Sequence, residues 1–259
     1  MSAVVIIPAR YASTRLPGKP LLAETGRPLI QHVVESIQPA RRIGRIIVAT
    51  DDKRIADAVT AFGGAAVMTR KDHPCGTDRI NEAAAKLGLA DDDIVVNVQG
   101  DEPDMPASCV DRLVELLEGS EPTPPKPAGR RLDAPMATLA THLPAEAADD
   151  PNKVKVVVDR AGRALYFSRS RIPFDRDGSG AVSYLLHLGI YAYRVGFLKL
   201  FASLPPTPAE RAEKLEQLRA LEHGHAILVA VVDYRGGGID TPADYAAFVA
   251  RVLSTSRQP

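Results

Sequence analysis

The first 118 residues alternate short apolar runs with stretches of helical spacing, and this rhythm confines the chain to very few folds. Ala3–Ile7 is a run of Val and Ile without polar alternation, the pattern of a strand buried on both faces. Arg45–Ala49, Ala65–Met68 and Ile94–Gln99 repeat the strand signal. Leu29–Ile37, Lys53–Phe62, Asp78–Leu87 and Ala107–Glu118 read as helices, the second of them capped from Thr50-Asp51-Asp52. Strand and helix taken in turn build right-handed βαβ units. The expected class is therefore α/β, a Rossmann-like, mostly parallel sheet flanked by helices.

Gly119–Pro135 interrupts the rhythm with Pro122, Pro124, Pro125, Pro127 and Pro135 beside Arg130 and Arg131. Residues 120–134 read as a proline-rich loop insertion, a solvated loop or a mobile linker. Beyond it the strand-like runs are short: Met136–Thr141, Val154–Asp159, Ala164–Ser168 and Leu186–Tyr193. They predict a smaller, partly antiparallel extension of the sheet. Pro208–Glu222 reads as one helix, Ala226–Val232 as a returning strand and Pro242–Leu253 as a closing helix. No repeat of fixed period is present. Residues 1–259 are expected to form a single domain, close to the upper size for one core.

Charge narrows the function classes. Lys+Arg and Asp+Glu both number 32, so the net charge is zero with His neutral. A protein coating nucleic acid or a membrane surface usually carries a basic excess, so neither partner is expected. The two cysteines, Cys75 and Cys109, have no metal-like spacing and fit a reducing compartment. The apolar N-terminus is too short for a signal peptide, and no apolar run reaches bilayer length. A cytoplasmic location is the expectation.

In parallel sheets, ligands bind at the carboxyl ends of the strands, and two charged motifs fall there. Pro8-Ala9-Arg10-Tyr11-Ala12-Ser13-Thr14-Arg15-Leu16-Pro17-Gly18-Lys19-Pro20 follows the first strand, with three cations and two hydroxyls before the first acid, Glu24. Such a loop suits a polyphosphate; the plain alternative is a solvated surface loop. It is not a Walker loop, since Pro20 follows Gly18-Lys19, and no G-x-G-x-x-G is present. Gln99-Gly100-Asp101-Glu102-Pro103 ends the fourth strand on a carboxylate that a divalent cation can bind, or that caps a helix. A third motif, Gly236-Gly237-Gly238-Ile239-Asp240-Thr241-Pro242, sets another acid before the last helix, where it too reads as a helix start. His223-Gly224-His225 offers no third ligand, and a metal reading is rejected there.

Taken together, these segments and His187-Leu188-Gly189-Ile190-Tyr191 resemble, in order and spacing, the 3-deoxy-manno-octulosonate cytidylyltransferase (CMP-Kdo synthetase) family. The resemblance runs from about residue 2 to 250 and is most specific from Val5 to Lys19. Ala164-Leu165-Tyr166-Phe167-Ser168-Arg169 and Leu215-Glu216-Gln217-Leu218-Arg219 also match. The stretch 120–134 is longer than the family needs, and Cys75 stands where a serine is expected before Gly76-Thr77.

The resemblance implies a nucleotidyltransferase in which the anomeric hydroxyl of Kdo attacks the α-phosphorus of CTP and pyrophosphate leaves. Arg10, Ser13, Arg15 and Lys19 would meet the triphosphate. Arg79, in Gly76-Thr77-Asp78-Arg79, and Gln99 would contact the nucleotide. Asp101 and Asp240 would hold Mg²⁺. Gln99, Arg169, His187, Tyr191, Glu216 and Gln217 would face the sugar. On residues alone, His187 fits a core histidine equally well, and Glu216 and Gln217 fit a wet helix face. A homodimer is implied, with Leu186–Tyr193 and its neighbouring strands as the candidate contact. Two rival readings remain: a cytidylyltransferase for another acidic sugar (a sialic acid or an amino-substituted Kdo), and a non-catalytic nucleotide-sugar binder. The binder predicts a missing metal carboxylate, and both acids are present.

Overall fold

A computed structural model describes residues 3–12, 16–119 and 134–255. In chain order the elements are β1 (Ala3–Ala9), α1 (Leu29–Ile37), β2 (Ile43–Thr50), α2 (Lys53–Ala61), β3 (Ala65–Met68), α3 (Gly76–Lys86), β4 (Ile94–Asn97), α4 (Ala107–Glu118), β5 (Met136–Leu143), β6 (Lys155–Val158), β7 (Ala164–Ser168), β8 (Tyr184–Arg194), α5 (Val195–Ser203), α6 (Pro208–Glu213), α7 (Gln217–Glu222), β9 (Ile227–Val231) and α8 (Pro242–Thr255). Ser13, Arg15 and residues 120–133 of the proline-rich stretch lie outside the described residues. The chain divides into two compact units, Met1–Asp111 with Arg235–Pro259, and Arg112–Tyr234.

In the first unit, β1 to β4 form parallel pairs in the order β3-β2-β1-β4. β1 is central and pairs with β2 on one side and β4 on the other, and Val5, Ile6 and Ile7 have no exposed surface. That burial is why its sequence lacks polar alternation. Asp52 caps α2 by accepting from Arg54 N at 2.9 Å, as the Thr-Asp-Asp signal predicts.

In the second unit, β5 runs antiparallel to β8 and parallel to β9, and β6 runs antiparallel to β7 and β8. The fold class is thus the expected one, mixed α/β with a mostly parallel part and a partly antiparallel part. One expectation needs correction. Pro208–Glu222 is not one helix, because Lys214 takes a left-handed conformation (φ 55°) that separates α6 from α7. The break lets Glu213 accept from Ser168 Oγ (2.6 Å) and Arg169 N (2.9 Å), while Arg219 folds back onto Glu210 at 2.5 Å. Outside the expected elements a further helix, α5, buries Val195, Phe197, Leu198 and Phe201.

Candidate active site

The strand order of the first unit reverses at β1 and β4, the place where open α/β sheets take ligands. The loops leaving these two strands run close together, since a Cβ on Gly100 would stand 3.0 Å from Pro8 O. The loop after β1 is fixed at its far end. Gly18 N donates to Tyr11 O at 3.2 Å, and Gly18 is left-handed (φ 66°), with room beside the Tyr11 ring only for a hydrogen. Leu16 anchors the same end by packing with Leu29, Ile239, Tyr245 and Phe248.

This anchoring delivers Lys19 to the acids. Its Nζ donates to Asp101 Oδ2 at 2.6 Å and to Ile239 O at 2.8 Å, and lies 3.6 Å from Asp240 Oδ1. The two carboxylates therefore share the Lys19 ammonium, and their oxygens lie no farther apart than the sum of their distances to it. Ile239 N donates to Asp101 O at 2.9 Å, which ties the two segments together through the backbone. The end of α8 has its own caps. Thr241 and Asp244 cap α8 reciprocally, Thr241 N donating to Asp244 Oδ2 at 2.8 Å and Asp244 N to Thr241 Oγ1 at 3.2 Å. Asp101 lies six positions before α4 begins.

Beside Asp101, Glu102 Oε2 is buried with no hydrogen-bond partner among the described residues. Burial, reinforced by the Asp101 charge, pushes the Glu102 carboxyl up to about 7. Arg10 is exposed at the end of β1, and Gln99 is half-buried just past β4. Arg79 is buried and faces inward, donating to Thr69 Oγ1 at 2.5 Å and lying 3.3 Å from Asp51 Oδ1. It holds the carboxyl ends of β2 and β3 together.

The second unit holds the residues expected to face the sugar. The His187 and Tyr191 rings are 5.4 Å apart, and Phe167 meets His187 edge-on at 5.0 Å. Burial lowers His187 to about 3, so its ring is neutral, and raises Tyr191 well above 10 with help from the Glu216 charge. Glu216 lies 3.5 Å from Arg219, and Gln217 Nε2 is buried without a partner among the described residues. Arg169 is committed to backbone, with Nε donating to Glu213 O at 2.7 Å and Nη1 to Pro151 O at 2.9 Å. The fully buried Lys155 braces the same segment, donating to Arg169 O at 2.6 Å and Asp150 O at 3.0 Å.

A family model for cytidylyltransferase matches residues 4–227. This chain belongs to the cytidylyltransferase family. It is 52% identical over 253 residues to a 3-deoxy-manno-octulosonate cytidylyltransferase of Syntrophobacter fumaroxidans, covering 96% of each chain. It is also 48% identical over 253 residues to an 8-amino-3,8-dideoxy-manno-octulosonate cytidylyltransferase of Shewanella pealeana, covering 97% of this chain and 99% of that one. The solved structure of a CMP:2-keto-3-deoxy-manno-octonic acid synthetase complexed with CTP is similar throughout, with 43% identity, a TM-score of 0.89, and coverage of 98% of this chain and 100% of that one.

For a cytidylyltransferase, three groups here escaped the sequence reading. The Ile239 carbonyl carries no side-chain signal at all. Glu102 stood in the Gly-Asp-Glu-Pro motif, but only burial distinguishes it from its neighbour. Thr138, on β5, reads as an ordinary strand residue until its hydroxyl is traced to His187. Among the described residues, no group of three or more His, Cys, Asp or Glu side chains converges as a metal centre, and no helix is long and apolar enough to cross a membrane.

Proposed function

We propose that this cytidylyltransferase transfers CMP from CTP to the anomeric hydroxyl of 3-deoxy-manno-octulosonate, giving CMP-Kdo and pyrophosphate for lipopolysaccharide synthesis. The observation that carries the reading is the meeting of Lys19, Asp101 and Asp240 where β1 and β4 end, in a chain this similar to named CMP-Kdo synthetases. Both substrates are anions, so the triphosphate must be neutralised before the sugar carboxylate can approach. Arg10, Arg15 and Lys19 take that role, with Ser13 as a hydrogen-bond donor. Cations fixed before the reaction stabilise the charge that shifts toward pyrophosphate without reorganising.

Mg²⁺ fits the acid pair on donor chemistry. Asp101 Oδ2, Asp240 Oδ1 and Ile239 O already surround one cation, the Lys19 ammonium, and all are oxygens of the type that hard divalent ions take. Asp101 and Asp240 would hold the ion. When bound, it supplies neutralisation of phosphate charge and polarisation at the α-phosphorus. The sugar is read by His187, Tyr191 and Gln217, whose Nε2, buried with no hydrogen-bond partner among the described residues, suits a ligand oxygen. Arg79 and Arg169 support these residues through the contacts described above, while Gln99 stands two positions before Asp101 and Glu216 next to Gln217. The enzyme works in the cytoplasm as a homodimer, with Leu186–Tyr193 and its neighbouring strands as the contact.

A second reading has its own support, since relatives of comparable similarity carry the name of the 8-amino sugar enzyme. Turnover measured with each sugar separates the two. The central experiment is pyrophosphate release with CTP, Mg²⁺ and Kdo, each omitted in turn. Release only in the complete mixture is expected. Silence in the complete mixture, with both sugars, overturns the assignment.

A further inference from the structure

Thr138 lies within β5 with no exposed surface, yet its single hydroxyl meets three polar atoms. Oγ1 is 2.8 Å from Ile190 O, 3.1 Å from Leu188 O and 3.1 Å from His187 Nε2. It stands opposite a break in β8. Thr138 pairs with Tyr191 and Leu139 with Leu188, so the register shifts here and Gly189 and Ile190 are inserted on β8 between these two pairs. Four residues along a regular strand cover about 13 Å. The His187 and Tyr191 rings are instead 5.4 Å apart, because the break shortens β8 between them. The Thr138 hydroxyl is the polar group facing both carbonyls that the break turns inward.

A hydroxyl has one proton and two lone pairs, while a carbonyl can only accept. Leu188 O and Ile190 O therefore take the Thr138 proton, and the contact with His187 is closed only if the imidazole donates. That places the ring proton on Nε2 and leaves the lone pair on Nδ1. Phe167 and Tyr191 flank the ring and fix its plane. We propose that Thr138 is a positioning residue for sugar recognition. Its hydroxyl pins the break in β8 and sets His187 as the Nε2–H tautomer, so that Nδ1 accepts a hydrogen bond from one hydroxyl of the acidic sugar. The proposal rests on the reading that His187 faces the sugar.

The test combines ring-nitrogen NMR with kinetics. In the wild-type protein labelled with ¹⁵N-histidine, His187 is expected to show a protonated Nε2 and an unprotonated Nδ1 at neutral pH. Thr138→Val is expected to scramble this pattern and raise the KM for Kdo roughly five- to tenfold, the worth of one neutral hydrogen bond, with the KM for CTP unchanged. Thr138→Ser, which keeps the hydroxyl, restores both. A wild-type ring protonated on Nδ1 overturns the proposal without any variant, which keeps the test decisive should T138V fail to fold. An unaltered ring spectrum or an unaltered KM for Kdo in folded T138V also overturns it. His187→Gln separates the two levels. If H187Q raises the KM for Kdo and T138V does not, only the role of Thr138 falls. If H187Q leaves it unmoved, the placement of His187 at the sugar falls as well.

Discussion

Lys19 shows why single residues were only partly legible. Asp101 and Asp240 each stand where an acid commonly starts a helix, and each motif alone supports that bland role. Folding assigns the capping of α8 to Thr241 and Asp244 and leaves the two acids facing one ammonium. Nothing local to either motif encodes that meeting, because 139 positions separate the acids and their approach depends on the sheet. Two predictions belong to this trio. Lys19→Ala should lower turnover by about 10²–10³, the usual cost of removing one fixed charge donor, while the circular dichroism spectrum stays native. Native turnover in that variant would remove Lys19 from the machinery. Asp101→Asn and Asp240→Asn should each abolish most turnover and weaken Mn²⁺ binding measured by titration. The double variant should be little worse than either, since groups acting as a unit are non-additive. Additive losses would mean that the acids act separately.

Among the elements, legibility followed burial pattern. β1, α1, α3, β4 and α4 were readable because their apolar positions follow a strand or helical period. The division into α6 and α7 was not, since every residue from Pro208 to Glu222 tolerates a helix and only tertiary contacts reward the turn at Lys214. The break in β8 was hidden for a similar reason: Leu-Gly-Ile reads as strand, and the Thr138 hydroxyl that accommodates it comes from another element. The segment from Tyr11 to Lys19 gives the element-scale prediction. Gly18 combines a left-handed backbone with a Tyr11 ring 3.3 Å from any added Cβ. Tyr11 cannot readily move away, because the Arg54 guanidinium lies 3.4 Å over its ring. Gly18→Ala should destabilise the protein by about 1 kcal/mol or more, as alanine does where φ is positive. It should also raise the KM for CTP more than the KM for Kdo, because it displaces Lys19 and not the sugar residues. Equal effects on both substrates would place Gly18 outside the nucleotide site.

At the scale of the whole molecule, the parallel part was legible because a doubly buried sheet imposes a coarse repeating pattern. The division into two compact units was not, since each draws on segments whose apolar patterning looks alike in sequence. The two units also carry titrating groups that act in different pH ranges, and these predict how acid unfolds the protein. In the second unit, burial lowers His187 from 6.5 to about 3. In the first, burial pushes Glu82 up, but hydrogen bonds from Lys86, Arg70 N and His73 outweigh it and hold the carboxyl at about 2. For both groups the folded pKa is below the unfolded one, so the unfolded chain binds more protons and stability is lost as pH falls. The His187 contribution is complete above about 6.5 and drains between there and about 3; that of Glu82 is complete above about 4.5 and drains toward about 2. Glu102 acts in the opposite sense, since its raised carboxyl takes a proton first in the folded protein and adds stability as pH falls from about 7 to about 4.5. The His187 and Glu82 stages are therefore read as differences in slope between variant and wild-type urea midpoints measured from pH 7.5 to 3. His187→Phe should remove the His187 loss between about 6.5 and 4.5, so that its midpoints there fall less, or rise more, with falling pH than those of the wild type, and should leave the slope nearer pH 3 to 4 largely unchanged. Glu82→Gln should leave the upper window unchanged and make the decline below about 4.5 shallower than that of the wild type, the remaining slope coming from other lowered carboxylates such as Asp159 and Glu210. Because the slopes are read and not the absolute midpoints, any packing or hydrogen-bond loss common to all pH values cancels. A decline in H187F as steep as that of the wild type near pH 5.5 would mean that the imidazole already carries its proton in the folded protein, and the neutral ring assigned to the sugar site would be wrong.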